Sequence, residues 1–96
     1  CIRDSFKYVI EGMFDVVNSK NGTAYNPKIE RFNICGKTGT AQNPHGDDHS
    51  IYIAFAPKNN PEIAIAVFIE NAGWGSKWAA PIGNNFIQKY FELKDK

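Results

Sequence analysis

No apolar run in this sequence approaches the ~20 residues that cross a bilayer as a helix. Charge of either sign is not in surplus, with 11 Lys and Arg against 10 Asp and Glu. A net charge of +1 supplies no electrostatic footprint for nucleic acid or for an acidic partner. Cysteine occurs only as Cys1 and Cys35, too few for a disulfide framework. Cys35 stands in an apolar segment beside Gly36 and reads as a small buried hydrophobe. Its rival role, a catalytic thiol, needs a histidine such as His45 or His49 of the nearby loop. The chain opens Cys1-Ile2-Arg3-Asp4-Ser5, with neither an initiator Met nor a signal peptide, and is expected to begin inside something longer. Repeats and low-complexity segments are absent as well, and 96 residues make at most one domain. No nucleophile stands in the chain beside an evident activating partner.

What is present is a pattern of two helices around three strands. Phe6, Val9, Ile10, Met13, Val16 and Val17 follow three-four spacing and predict a helix over residues 3–17, capped by Asp4 or Ser5. Asn18-Ser19-Lys20-Asn21-Gly22 ends it. Residues 23–28 read as an irregular connection, with Pro27 keeping Asn26 extended. A first strand is expected from about Glu30 to Ala41, a second from Ser50 to Ala56 and a third over about residues 62–70. Short connections make consecutive strands antiparallel neighbours. After the glycine-rich loop 71–75, Ser76 can cap a last helix with Pro81 in its first turns. Ala79, Ile82, Phe86, Tyr90 and Leu93 give that helix an apolar stripe, and the charged tail from Glu92 to Lys96 is expected to fray.

The strand faces add a constraint. Ile51, Ile53 and Phe55 alternate with Tyr52, Ala54 and Ala56; Ile63, Ile65, Val67 and Ile69 alternate with Ala64, Ala66 and Phe68. Apolar residues on both faces need cover on both faces. The alanine face admits the two helices closely, and the large aliphatic face then needs a second layer that two helices do not supply.

Gly36-Lys37-Thr38-Gly39-Thr40-Ala41 sets a cation, a hydroxyl, a residue without a side chain and a second hydroxyl in a row. On a strand Lys37 and Thr38 point to opposite faces. Gly39 leaves room for another backbone, and an extended peptide can add to such a strand. Lys37, Thr38 and Thr40 suit an anionic group such as a peptide carboxylate. The stretch reads as one wall of a peptide-binding active site.

Residues 32–42, Phe-Asn-Ile-Cys-Gly-Lys-Thr-Gly-Thr-Ala-Gln, resemble the third active-site motif of the penicillin-binding transpeptidases. The likeness runs on through residues 48–57, 65–71, 75–76 and 79–82, and upstream through Gly12-Met13, Val16-Val17 and Gly22-Thr23-Ala24. It is greatest to the class B, elongation-type members. The resemblance implies an α+β fold: a three-stranded antiparallel sheet flanked by an N-terminal and a C-terminal helix, part of the larger serine β-lactamase/transpeptidase-like fold. Residues 1–96 would be the C-terminal part of that domain. The parent would crosslink peptidoglycan stem peptides by serine acyl transfer, bind β-lactams and need no cofactor. It would be anchored in the inner membrane, face the periplasm and work with cell-elongation proteins.

The same resemblance assigns roles. Lys37 would hold the electrostatics and assist proton transfer. Thr38 would bind the substrate carboxylate, Gly39 would admit the substrate backbone, and the Thr40 N–H would donate to the oxyanion hole. None of Ser5, Ser19, Ser50 and Ser76 begins a Ser-x-x-Lys motif, so the nucleophile is not in this chain and the chain alone should not turn over substrate. Ser19-Lys20-Asn21 spells the family's second motif, Ser-x-Asn, by chance. The third strand would lack a neighbour, and its open edge, residues 62–70, invites pairing with a second copy.

Other readings compete. A phosphate-binding loop would need a glycine at Arg31 and a helix after Thr38. His45, Asp47, Asp48 and His49 have metal-ligand chemistry, but they also suit a solvated hairpin loop. Trp74 and Trp78 read first as packing residues. A non-catalytic relative that senses β-lactam or peptide, or serves as a scaffold, is the alternative function.

Overall fold

The computed structural model describes residues 2–25, 32–73 and 77–94. Helix α1 spans Ile2–Asn18, strand β1 Cys35–Ala41, β2 His49–Ala56, β3 Ile63–Ile69 and helix α2 Ala79–Lys94. The strands form one antiparallel sheet in the order β1-β2-β3. The expected α+β architecture is therefore present. Part of the expected first strand, Glu30 and Arg31, lies outside the described residues, as do Asn26, Pro27, Trp74 and Ser76.

The first strand begins at Cys35, later than expected. Asn33 adopts φ 52°, a left-handed conformation that Asn tolerates and that breaks an extended run. At the other end of the chain, α2 continues through Lys94 instead of fraying at Glu92. The Lys94 ammonium pairs with the Glu62 carboxylate ahead of β3, and Gln88 donates to Glu92 across 3.0 Å. Asp4 and Ser5 lie inside α1 and so do not cap it. Asp4 instead places negative charge in the first turn, where the helix dipole favours it.

Register decides the faces. Ala54 pairs with Ile65, Ala56 with Ile63 and Tyr52 with Val67, so the face of β2 that carries Tyr52 and the alanines is continuous with the large residues of β3. This corrects the expectation of one alanine face and one aliphatic face. Val17, Ala24, Ile34, Tyr52, Ala54, Ala79, Ala80 and Ile87 form the core on that shared face. The opposite face carries Ile53, 47% exposed, and Phe68, 56% exposed. Among the described residues one layer of cover is thus present and the other is not, as the strand pattern implied.

The helices also turn differently from the sequence stripes. In α2 the buried face is Ala80, Gly83, Asn84 and Ile87, whereas Ile82, Phe86 and Leu93 are exposed. The bulky Tyr52 is the physical reason. A Cβ on Gly83 would lie 2.6 Å from the Tyr52 ring, and one on Gly36 would lie 2.6 Å from its Cζ. Small residues above and beside the ring let helix and sheet close around it. In α1 burial deepens toward the C-terminal turn: Phe6 and Val9 are exposed, Met13 is half-buried and Val17 is fully buried. Asn18 donates to Phe14 O at 2.8 Å and to Ile34 O at 2.9 Å, tying the end of α1 to the entry of β1.

Candidate active site

Lys37, Thr38, Gly39 and Thr40 all lie on β1. Among the described residues the strand is at a sheet edge and pairs only with β2. Its other side has alternate N–H and C=O groups free for an added strand. Lys37 is opposite Ile53 and Gly39 opposite Ile51, toward the open face. Thr38 is opposite Tyr52 and Thr40 opposite Ser50, toward the helices. The sequence expectation that Lys37 and Thr38 diverge is met.

The Lys37 side chain is exposed, and its ammonium donates to the carbonyl of Thr38 at 2.6 Å. Among the described residues that is its one hydrogen-bond partner, which leaves two of its three donors available. Among the described residues Gly39 is under no pressure to be glycine: a Cβ there would meet only Ile51 Cβ, at an ordinary 3.8 Å. Folding demands glycine at 36 but not at 39. The space beside Gly39 is open toward whatever approaches the strand.

The Thr38 hydroxyl is 3.1 Å from the Thr23 hydroxyl. Thr23 follows α1, fifteen residues earlier in the chain, and spacing alone gives no reason to link the two. The sequence signal for it was the Gly22-Thr23-Ala24 likeness. Thr40 lines a cavity of about 220 Å³ with Asp47, Asp48 and Gly73. Ser19 and Asn21 lie instead on a separate open recess with Gly22 and Thr23, just beyond α1.

The histidine-containing loop is a structural brace. Asn43 N–H donates to the Asp48 carboxylate at 3.1 Å and its side chain to Asn71 Oδ1 at 2.5 Å. His49 Nδ1 accepts from the Asn71 N–H at 3.1 Å, which requires an unprotonated Nδ1. Asn71 itself holds φ 56°. The β1–β2 loop is thereby latched to the segment after β3. Among the described residues no three His, Cys, Asp or Glu side chains gather as a metal-ligand set.

Cys35 is fully buried, and burial pushes its thiol upward, partly offset by the Lys58 ammonium. A nucleophilic cysteine needs the opposite, an exposed thiol with a lowered pKa. Strand β1 continues past Thr38 to Ala41, where a phosphate-binding loop would require a helix.

An exposed cation, two hydroxyls and an open backbone edge converge on one short strand, and together they can hold an extended, anionic peptide-like ligand. The model of the penicillin binding protein transpeptidase domain matches residues 3–88. The peptidoglycan D,D-transpeptidase MrdA of Haemophilus influenzae is 36% identical, over 86% of this chain and 15% of its own length. The crystal structure of Pseudomonas aeruginosa PBP2 in complex with WCK 5153 superposes with a TM-score of 0.77 at 40% identity, over 88% of this chain and 19% of that one. The penicillin-binding protein PBP2 from Helicobacter pylori gives a TM-score of 0.79 at 31% identity, over 95% and 17% respectively. This chain spans less than a fifth of the length of each of these relatives. Over that span it belongs to the penicillin-binding protein transpeptidase domain family and has the fold of that family.

Proposed function

We propose that residues 1–96 form the C-terminal part of a peptidoglycan D,D-transpeptidase domain and supply the Lys37-Thr38-Gly39-Thr40 wall of its active site. The observation that carries this is the open edge of β1. It bears an exposed ammonium, two hydroxyls and a glycine that folding does not demand.

The chemistry is serine acyl transfer. A serine outside this chain forms an ester with the carbonyl of the penultimate D-Ala, and the terminal D-Ala leaves with its amine protonated. A β-lactam is attacked in the same way, and its opened ring stays attached. Lys37 stabilises negative charge and favours proton movement at the nucleophile. Thr38 donates its hydroxyl to the ligand carboxylate, beside the backbone admitted at Gly39. The N–H of Thr40 faces the developing oxyanion. No cofactor enters this scheme.

The longer polypeptide is anchored in the inner membrane with this region in the periplasm, and it works with cell-elongation proteins. Its upstream part covers the Ile53 and Phe68 face and pairs with β3. In the isolated chain, a second copy takes that place.

Intact mass after incubation with penicillin tests the reading on the longer polypeptide, with this chain as control. An adduct on the longer polypeptide alone is expected. An adduct on this chain alone places the nucleophile among these residues and overturns the account. No adduct on either favours a non-catalytic sensing or scaffold relative.

A further inference from the structure

We propose that Thr23 is a positioning residue for the Thr38 hydroxyl, held in place by a buried clamp that runs through Tyr52 and Asn84. This deepens the reading of β1 as an active-site wall and rests on it.

The clamp begins at the end of α1. Ser19 N–H donates to Asp15 O at 2.9 Å and Gly22 N–H to Ser19 O at 2.9 Å, so the chain turns back immediately after the helix. Gly22 then lies against the last turn of α1, where a Cβ would fall 2.6 Å from the Val16 carbonyl carbon. Ala24 N–H donates to Val16 O at 3.0 Å. Ala24 itself is buried in the core. Its carbonyl accepts from Asn84 Nδ2 at 3.5 Å, and Asn84 Oδ1 accepts from the Tyr52 hydroxyl at 2.7 Å. The residues on either side of Thr23 are therefore fixed, one by steric contact with α1 and the other by hydrogen bonds to α1 and α2. The backbone at Thr23 is thereby held where its hydroxyl lies 3.1 Å from that of Thr38.

Two hydroxyls in contact can exchange donor and acceptor roles. When an anion meets Thr38, the Thr38 proton must point at the anion, and its oxygen is left to accept. Thr23 is the group placed to donate to it. The result is a directed chain, Thr23 O–H to Thr38 O–H to carboxylate, in which each bond polarises the next. A neutral ligand at the same place gains far less from such a chain, because charge-assisted hydrogen bonds are the stronger ones.

The test uses the longer polypeptide with benzylpenicillin and with its methyl ester, which lacks the carboxylate charge. Second-order acylation rates are measured for wild type, Thr23→Val, Thr23→Ser and Thr38→Val. Thr23→Val should slow acylation by benzylpenicillin about five-fold, the size of one neutral hydrogen bond. It should leave the ester nearly unaffected, and Thr23→Ser should restore the wild-type rate. Equal slowing with both compounds would mean that Thr23 is structural only, and the inference would fall. No effect of Thr23→Val, where Thr38→Val slows the acid, would overturn the inference and leave the active-site reading standing. No acylation of wild type would overturn the active-site reading itself.

Discussion

Tyr52 and Asn84 share a hydrogen bond of 2.7 Å inside the core, from the phenol to the side-chain carbonyl. Tyr52 is fully buried and Asn84 nearly so. Neither polar group can find water if its partner is removed. Tyr52→Phe should therefore cost about 1–3 kcal/mol, the penalty of stranding a buried acceptor. Asn84→Ala should cost at least as much, because the Ala24 carbonyl also loses a donor. Urea denaturation of both variants and of the double variant measures the coupling. Strictly additive losses would show that the bond contributes nothing specific.

The two glycines of β1 should behave in opposite ways. Gly36→Ala drives a methyl group into the Tyr52 ring and should destabilise by about 1–3 kcal/mol, as overpacking does. Gly39→Ala meets only open space and Ile51, so stability should change by no more than about 1 kcal/mol. In the longer polypeptide that variant should nonetheless lose β-lactam acylation. Retained acylation by Gly39→Ala would remove the reason for reserving that space for a ligand.

Lys37 is exposed, and among the described residues its one hydrogen bond is to the adjacent carbonyl of Thr38. Lys37→Ala should change stability by less than about 0.5 kcal/mol, as surface substitutions generally do. Acylation should fall by about 10²–10³-fold if the ammonium stabilises charge in the transition state. Parallel thermal melts and stopped-flow acylation separate the two effects. A loss of stability matching the loss of rate would count against a catalytic role.

Alkaline pH should destabilise the fold in two stages. Burial raises both the Cys35 thiol and the Tyr52 phenol, and the Lys58 ammonium partly offsets the first. Each group holds its proton more tightly when folded than when unfolded. Stability is therefore complete below the unfolded pKa values and declines as pH rises past them, from about 8.5 for the thiol and about 10 for the phenol. Cys35→Ala should delay the onset of the decline. A stability profile flat to pH 11 would contradict both assignments.

The isolated chain should self-associate. Among the described residues β3 pairs only with β2, and Phe68 is more than half exposed beside that free edge. Open edges and apolar faces both recruit copies. Light scattering should show mass rising with concentration, and Phe68→Lys should reduce it. A monomer at every concentration would contradict the association.

Much of the candidate site was legible because it is local. Four consecutive residues on one strand need no tertiary information beyond strand alternation, and their flanks carried the likeness to the family. Thr23 was not legible as part of the site, because a partner fifteen residues away depends on how the chain turns after α1. The helix faces were misjudged for a related reason. Hydrophobicity alone favoured Ile82, Phe86 and Leu93 over Ala80, Gly83 and Asn84. The winning face is the one that fits around Tyr52, and fit is a property of two surfaces together.

From the residues alone came the order of elements, the antiparallel hairpins, the placement of Lys37-Thr38-Gly39-Thr40 on one strand and the need for cover on both sheet faces. These follow from periodicity, turn chemistry and side-chain alternation, which act over a few residues at a time. Tertiary structure decided which faces combine. The β2–β3 register sets Ala54 beside Ile65, and a slip of one residue would have reversed every side chain of β3. It also decided that a buried Tyr52–Asn84 pair stands behind Thr23 and Thr38. Such a contact joins α1, the sheet and α2, and it exists only once all three have packed.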